Sequence, residues 1–134
     1  METSLRITSF RTYSITELCR EFDCTARALR FYEEQGLLFP CRNQMQRVYS
    51  YKDRARLKLI LRGRRVGLSL IQIRDLLETY EAQGEAAQNA RALDMFKARL
   101  AVLEEERRQI DGAVEVLRSA CQRLAAQGDI TTAA

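Results

Sequence analysis

The side chains with the reach to do chemistry in this chain are arginines, not histidines or closely paired cysteines. The sequence contains no histidine, which removes the commonest general base and most hydrolase triads. Its four cysteines, Cys19, Cys24, Cys41 and Cys121, form no C-x-x-C pair. A tetrahedral zinc site would need all four, at spacings typical of no zinc module. The six glycines form no phosphate-cradling loop. No metal, cofactor or catalytic residue is assigned, and the chain does not read as an enzyme. What remains is basic and unevenly placed. Residues 1–80 hold 15 Lys and Arg against 9 Asp and Glu, a net +6, whereas residues 81–134 hold 7 against 9, a net −2. A basic first half joined to a slightly acidic second half suits a polyanionic partner for the first half.

The elements that must position those arginines are short helices. Ser14-Ile-Thr-Glu17 is a capping box, with the serine accepting from the N3 amide and the glutamate reaching back. Behind it Ile15, Leu18, Cys19 and Phe22 fall at i, i+3, i+4 and i+7, the stripe of a short amphipathic helix. Asp23-Cys24-Thr25 interrupts it, and Thr25 caps a second helix from Ala26 to about Glu34, which Gly36 ends. Two short helices joined by a tight turn make a helix-turn-helix, whose second helix enters the major groove of DNA by its early residues. Those residues here are Thr25, Ala26 and Arg27, with Arg30 one turn later. Arg27 suits either a bidentate contact to guanine or a phosphate. Leu29, Phe31 and Leu37 read as core against Ile15, Leu18 and Phe22.

Pro40 and the polar run 41–46 predict a small β-hairpin ending at Arg47-Val-Tyr49. Ser50 opens a helix from Lys52 to about Val66, closed by Gly67, and Ser69-Leu-Ile-Gln72 is a second capping box for a helix to about Tyr80. Arg54, Lys58, Arg62 and Arg65 share one face of the third helix, a stripe that suits phosphates and bulk water equally. Beyond a softer stretch, Leu93, Phe96, Leu100, Leu103, Arg107, Ile110, Val114, Leu117, Cys121 and Leu124 alternate in steps of three and four. This a/d seam, with Arg107 its charged interruption, spans a helix of about 52–58 Å at 1.5 Å per residue. Such a seam needs a partner helix. No stretch reaches the roughly 18–20 apolar residues of a membrane span, and the chain reads as soluble and cytoplasmic.

The string Thr25-Ala-Arg27-Ala-Leu29-Arg30-Phe31-Tyr32-Glu33, continuing through Gly36-Leu37-Leu38 and then Arg47-Val-Tyr49, resembles the MerR family of bacterial transcription regulators. The run from Arg54 through Gly67-Leu68-Ser69-Leu70 to Ile73 is similar to that family in the same order. The resemblance implies a mainly α fold: a winged helix-turn-helix DNA-binding domain, then a long C-terminal dimerisation helix pairing as an antiparallel coiled coil. It implies that Arg30 and Tyr32, with the wing residues Arg47 and Tyr49, contact the DNA backbone. It also implies a homodimer on a pseudo-palindromic operator, distorting the promoter so that RNA polymerase can engage it. The subgroup wording is similar to regulators of leucine/isovalerate and terpene catabolism, which implies an acyl-CoA or related metabolite as effector. The expected layout is a flexible extension over 1–12, the DNA-binding domain over 13–80, a linker over 81–87, the dimerisation helix over 88–126 and a flexible tail over 127–134.

Two other readings stand beside this one. A thiol- or metal-sensing regulator on the same scaffold would use the cysteines, yet 81–94 contains none and Cys121 falls on the seam, where a small apolar side chain packs well. Most of the cysteines are therefore expected to be packing residues, with Cys41 in the wing the most exposed to oxidation. A coiled-coil adaptor protein would leave the ordered arginines and tyrosines without a role.

Overall fold

The computed structural model describes residues 11–133, with side chains through residue 128. The chain divides into two units, the first reaching Ala92 and the second starting at Leu93. In the first unit β1 (Thr12–Ser14) leads into α1 (Ile15–Phe22) and α2 (Ala26–Glu34). Next come β2 (Cys41–Asn43), β3 (Gln46–Ser50), α3 (Tyr51–Arg65) and α4 (Leu70–Gln83), and α5 (Glu85–Ala133) begins here. The second unit consists of the remainder of α5.

The two capping boxes read from the sequence, at Ser14 and Ser69, are formed, and a third stands at Ser50. The Ser14, Ser50 and Ser69 hydroxyls accept from the N3 amides of α1, α3 and α4, and Glu17, Asp53 and Gln72 return the bond in all three capping boxes. Thr25 Oγ1 accepts from the Ala28 amide at 3.1 Å to open α2. Gly36, at φ +72°, turns the chain out of α2 in the left-handed region that glycine favours. α3 starts at Tyr51, one residue earlier than its sequence reading, and α4 runs on to Gln83.

The predicted hairpin is β2 and β3, joined by Gln44 and Met45, both at positive φ. A two-residue turn of that kind matches the right-handed strand twist, although neither residue is the glycine that would adopt it without strain. The sheet has a third member that the sequence reading missed. β1 pairs antiparallel with β3, Tyr13 opposite Tyr49, giving the order β1-β3-β2. Thr12, assigned to the extension, therefore belongs to the sheet, while 1–10 of that extension lie outside the described residues. A three-residue strand is too short to show an alternating pattern, which is why it left no signal.

The core of the first unit holds Leu18, Leu29, Leu37, Leu38, Tyr49, Leu57, Ile60, Leu68, Ile73 and Leu76. Leu29 and Leu37 are buried as expected. Phe31 is not: it is 41% exposed, and Tyr32 takes the inward position beside it. On α2 the inward stripe runs Leu29–Tyr32, a step of three, so a residue midway between them points away. Gly63 lets α3 and α4 close up, since a Cβ there would lie 3.1 Å from Ile73 Cγ1.

α5 begins inside the predicted linker, of which only Gly84 (φ +92°) is non-helical beyond the end of α4. Its first turns are fastened to α4 by Arg91 to Asp75 at 2.6 Å and by Gln88 Nε2 donating to the Leu76 carbonyl at 3.1 Å. At the other end the helix runs to Ala133, through most of the predicted tail. In the second unit Leu93, Leu100, Leu103, Ile110, Val114, Leu117 and Leu124 are all exposed large apolar residues. No helix among the described residues is long and apolar enough to cross a membrane.

Candidate nucleic-acid interface

α2 and the wing supply the basic surface of the first unit. Thr25 is exposed, but its hydroxyl is committed to capping α2, and Ala26 beside it is half-buried. Arg27 and Arg30 are exposed, one turn apart, and neither forms an ion pair among the described residues. An arginine held on a rigid helix with its five donors uncommitted is equipped to meet a phosphate or a guanine edge.

Arg47 of β3 is half-buried and oriented. Its Nε donates to Glu33 Oε2, in the last turn of α2, at 2.7 Å. That carboxylate, through its hydrogen bond first, raises the guanidinium pKa further above its ordinary value. The bond occupies one donor and leaves the two terminal nitrogens for another acceptor.

Arg30 and Arg47 line one notch of about 340 Å³, together with Ser14, Ile15 and Thr16 from the start of α1 and Met45 and Gln46 from the wing. Two arginines beside the positive end of a helix favour an anion. Ser14, Thr16 and Gln46 are residues of this notch that the sequence reading did not assign. The capping box marks where α1 starts, but nothing in the sequence says that the wing folds over it.

The two tyrosines are placed differently from the arginines. Tyr32 is buried, its ring centroid 5.7 Å from that of Phe31 at an angle of 58°. Tyr49 is 0% exposed, and among the described residues its hydroxyl finds no hydrogen-bond partner. Burial pushes the Tyr49 phenol up to about 12, and the Glu33 charge adds to the shift. The structure thus brings Arg30 and Arg47 together at the surface, with Arg27 on the same helix, while Tyr32 and Tyr49 face the core.

Of the basic stripe on α3, Lys58, Arg62 and Arg65 are exposed. Arg54 is committed to Glu21 at 2.8 Å and lies over the Tyr13 and Phe22 rings. Asp53, buried at the start of α3, accepts from the Phe39 amide at 2.9 Å and from the Ser50 amide at 3.1 Å. It thereby ties the chain after α2 to the end of the wing. Among the described residues no group of three or more His, Cys, Asp or Glu side chains stands close enough to hold a metal ion.

A family profile described as MerR HTH family regulatory protein matches residues 13–80, and one described as MerR, DNA binding, matches residues 54–120. Among solved structures the chain is similar to HiNmlR, a MerR family regulator lacking the sensor domain, bound to promoter DNA. That likeness has 23% identity, 78% of this chain and 80% of that one covered, and a TM-score of 0.59. It is similar to a MerR family transcriptional regulator from Bacillus cereus (25% identity, 78% and 76% covered, TM-score 0.63). It is also similar to the transcription regulator PbrR691 from Ralstonia metallidurans CH34 in complex with lead(II) (30% identity, 79% and 85% covered, TM-score 0.57). No curated protein matches the sequence.

Proposed function

Since the chain belongs to the MerR family of helix-turn-helix regulatory proteins, and so is a DNA-binding transcription regulator and not an enzyme, we propose how it acts: as a cytoplasmic homodimer on a pseudo-palindromic operator. The observation that carries the reading is the notch where Arg30 of α2 and Arg47 of the wing converge beside the start of α1. In this account Arg47 and Arg30 hold backbone phosphates and fix the register of α2, while Thr25, Ala26 and Arg27 face base edges in the major groove. Tyr32 and Tyr49 support that surface from within, setting the spacing of α2 and β3.

Dimerisation is supported by the seam on α5. Seven large apolar residues standing in water along one helix would be covered by the same helix of a second copy, at about 25 cal/mol per Å² of apolar surface. Pairing about a centre between Arg108 and Gln109 places Leu103 opposite Val114 and Phe96 opposite Cys121, including every seam residue named above. Arg107 at an a position costs stability, eased where its head reaches solvent. Two α2 helices carried by one dimer bind two half-sites, and bending the duplex between them is the route to changing how RNA polymerase engages the promoter.

A cavity of about 600 Å³ lies between α3, α4 and the first turns of α5. Its lining includes Leu59, Leu77 and Tyr80, and Lys52 and Arg56, also lining it, meet Glu81 at 2.6 and 3.3 Å. An acyl group whose anionic head takes the place of Glu81 on Lys52 and Arg56 suits this lining, and an acyl-CoA or related metabolite is the effector class proposed. Genomic DNA recovered with the protein and sequenced tests the whole reading. Enrichment of one promoter region with an inverted repeat supports it; uniform recovery of all sequences would leave only non-specific binding.

A further inference from the structure

The turn of the helix-turn-helix brings together two cysteines that stand five positions apart in the sequence. Asp23 leaves α1 in the left-handed conformation (φ 52°, ψ 54°), and its amide donates to the Cys19 carbonyl. The Cys24 amide donates to the same carbonyl at 3.1 Å. This six-residue closure is the 6→1 bond of a Schellman ending, which sets the side chains at its two ends on the same side of the turn. Those side chains are Cys19 and Cys24, and here the two thiols stand within hydrogen-bond reach. Both are unbridged and half-buried, whereas Cys41 and Cys121 are exposed. Burial first, then the charge and the hydrogen bond of Cys19, push the Cys24 thiol up to about 11, so it stands protonated against its neighbour's sulfur.

We propose that Cys19 and Cys24 form an oxidisable dithiol at the turn of the DNA-reading motif, which a peroxide closes to a disulfide. In the first step the Cys19 sulfur, as thiolate, attacks one peroxide oxygen. The O–O bond breaks, Cys19 becomes a sulfenic acid, and hydroxide leaves and takes up a proton as water. In the second step the Cys24 sulfur attacks the Cys19 sulfur. The S–O bond breaks, the departing oxygen takes the Cys24 proton, and a second water is released. Two thiols and one peroxide thus give one disulfide and two waters, and an external thiol reverses the change by exchange.

The placement makes this bond consequential. Cys24 is followed directly by Thr25, whose hydroxyl caps α2 and whose carbonyl accepts from Leu29 at 3.2 Å. An S–S bond of about 2.05 Å with its fixed torsion is shorter than any contact between two thiols. Closing it draws the turn towards α1 and moves the cap from which α2 projects Arg27 and Arg30. The consequence for DNA rests on the function proposed above; the chemistry of the pair does not.

The sequence offers a clean test. Arg20 lies between the two cysteines, so trypsin separates them into the peptides Thr12–Arg20 and Glu21–Arg27. The full-length protein, treated with hydrogen peroxide and blocked with iodoacetamide, is digested without reduction and analysed by mass spectrometry. The expected result is one ion of the two peptides joined, two hydrogens lighter than their sum, from protein that runs as a single chain on a non-reducing gel. Dithiothreitol abolishes it, Cys24→Ser and Cys19→Ser each abolish it, and Cys41→Ser leaves it. Both peptides recovered carbamidomethylated, or either cysteine linked only to Cys41 or Cys121, would overturn the proposal. In parallel, the affinity for duplex DNA should fall about tenfold on oxidation in the wild type and stay constant in Cys24→Ser. An equal fall in both would overturn the coupling to α2. A reduced protein that binds no DNA would instead refute the proposed function, with the disulfide still decided by the mass of the joined peptides.

Discussion

Glu33 Oε2 accepts from Arg47 Nε at 2.7 Å, so the last turn of α2 and the middle strand of the sheet are joined directly, 14 residues apart in sequence. A charge-assisted bond of this kind is about twice as strong as a neutral one. It sets the guanidinium plane of Arg47 before any partner arrives. Arg30, from the middle of α2, lines the same notch. Helix and wing therefore present their arginines as one surface.

The carboxylate that holds this arrangement from behind is Asp53. Asp53→Ala leaves the part-buried Phe39 and Ser50 amides without their acceptor and removes half of a capping box. Water reaches part of both sites, so the expected loss of stability, the lost cap included, is about 1–3 kcal/mol. Urea unfolding of Asp53→Ala beside Asp53→Asn, which keeps an acceptor, measures it. A loss below about 0.5 kcal/mol in the alanine variant would contradict the role.

Tyr49 carries a buried hydroxyl without a partner among the described residues, and such a group opposes folding. Tyr49→Phe should raise the stability by about 1 kcal/mol and leave DNA affinity unchanged. A fall in DNA affinity with no gain in stability would mean that the hydroxyl turns outward to the DNA backbone, as the sequence resemblance implies.

Leu103→Glu tests the dimer. In the antiparallel register the new carboxylate faces Val114, where a charge cannot be buried without several kcal/mol of cost. Sedimentation at low micromolar concentration should show the wild type as a dimer and the variant as a monomer. A variant that sediments with the wild type would remove α5 as the interface.

Cys24 gives a pH dependence whose sign follows from its shift. Its thiol rises from 9.0 to about 11 on folding, so the native state holds the proton more tightly than the unfolded chain does. That contribution is complete below pH 9 and is lost as pH climbs towards 11. Stability should therefore decline over pH 9–11 and decline less in Cys24→Ser. Carbamidomethylation of Cys24 should accelerate only across the same window; alkylation already at its full rate at pH 9 would contradict the shift.

The local grammar of this fold is written in its sequence. Ser14, Ser50 and Ser69 announce three helix starts, Gly36 an ending, and the spacing from Leu93 to Leu124 an apolar seam. Each depends on residues three to seven apart. What stayed hidden depends on contacts across the chain. β1 exists because β3 is there to pair with Tyr13. Phe31 faces out because Leu29 and Tyr32 already fill the inward stripe. Tyr49 reads as a wing surface residue until β1 and the helices close over it. The Cys19–Cys24 contact lay in between, because it needs Asp23 in the left-handed conformation and no short motif encodes that. At the candidate site, the sequence named Arg27, Arg30 and Arg47 and the structure leaves Arg27 and Arg30 exposed. That Arg30 and Arg47 share a notch with the start of α1 was not legible.

Salt titration of DNA binding tests the central claim most directly. Affinity for duplex DNA is followed by fluorescence anisotropy between about 50 and 200 mM salt, for the wild type, Arg30→Ala, Arg47→Ala and Arg27→Ala. If Arg30 and Arg47 hold phosphates, each alanine weakens binding to every sequence alike and lowers the slope of log affinity against log salt by about one. If Arg27 reads a base, its loss relaxes discrimination at one base pair by about 1–3 kcal/mol. Unchanged affinity and slope in both Arg30→Ala and Arg47→Ala would contradict the account.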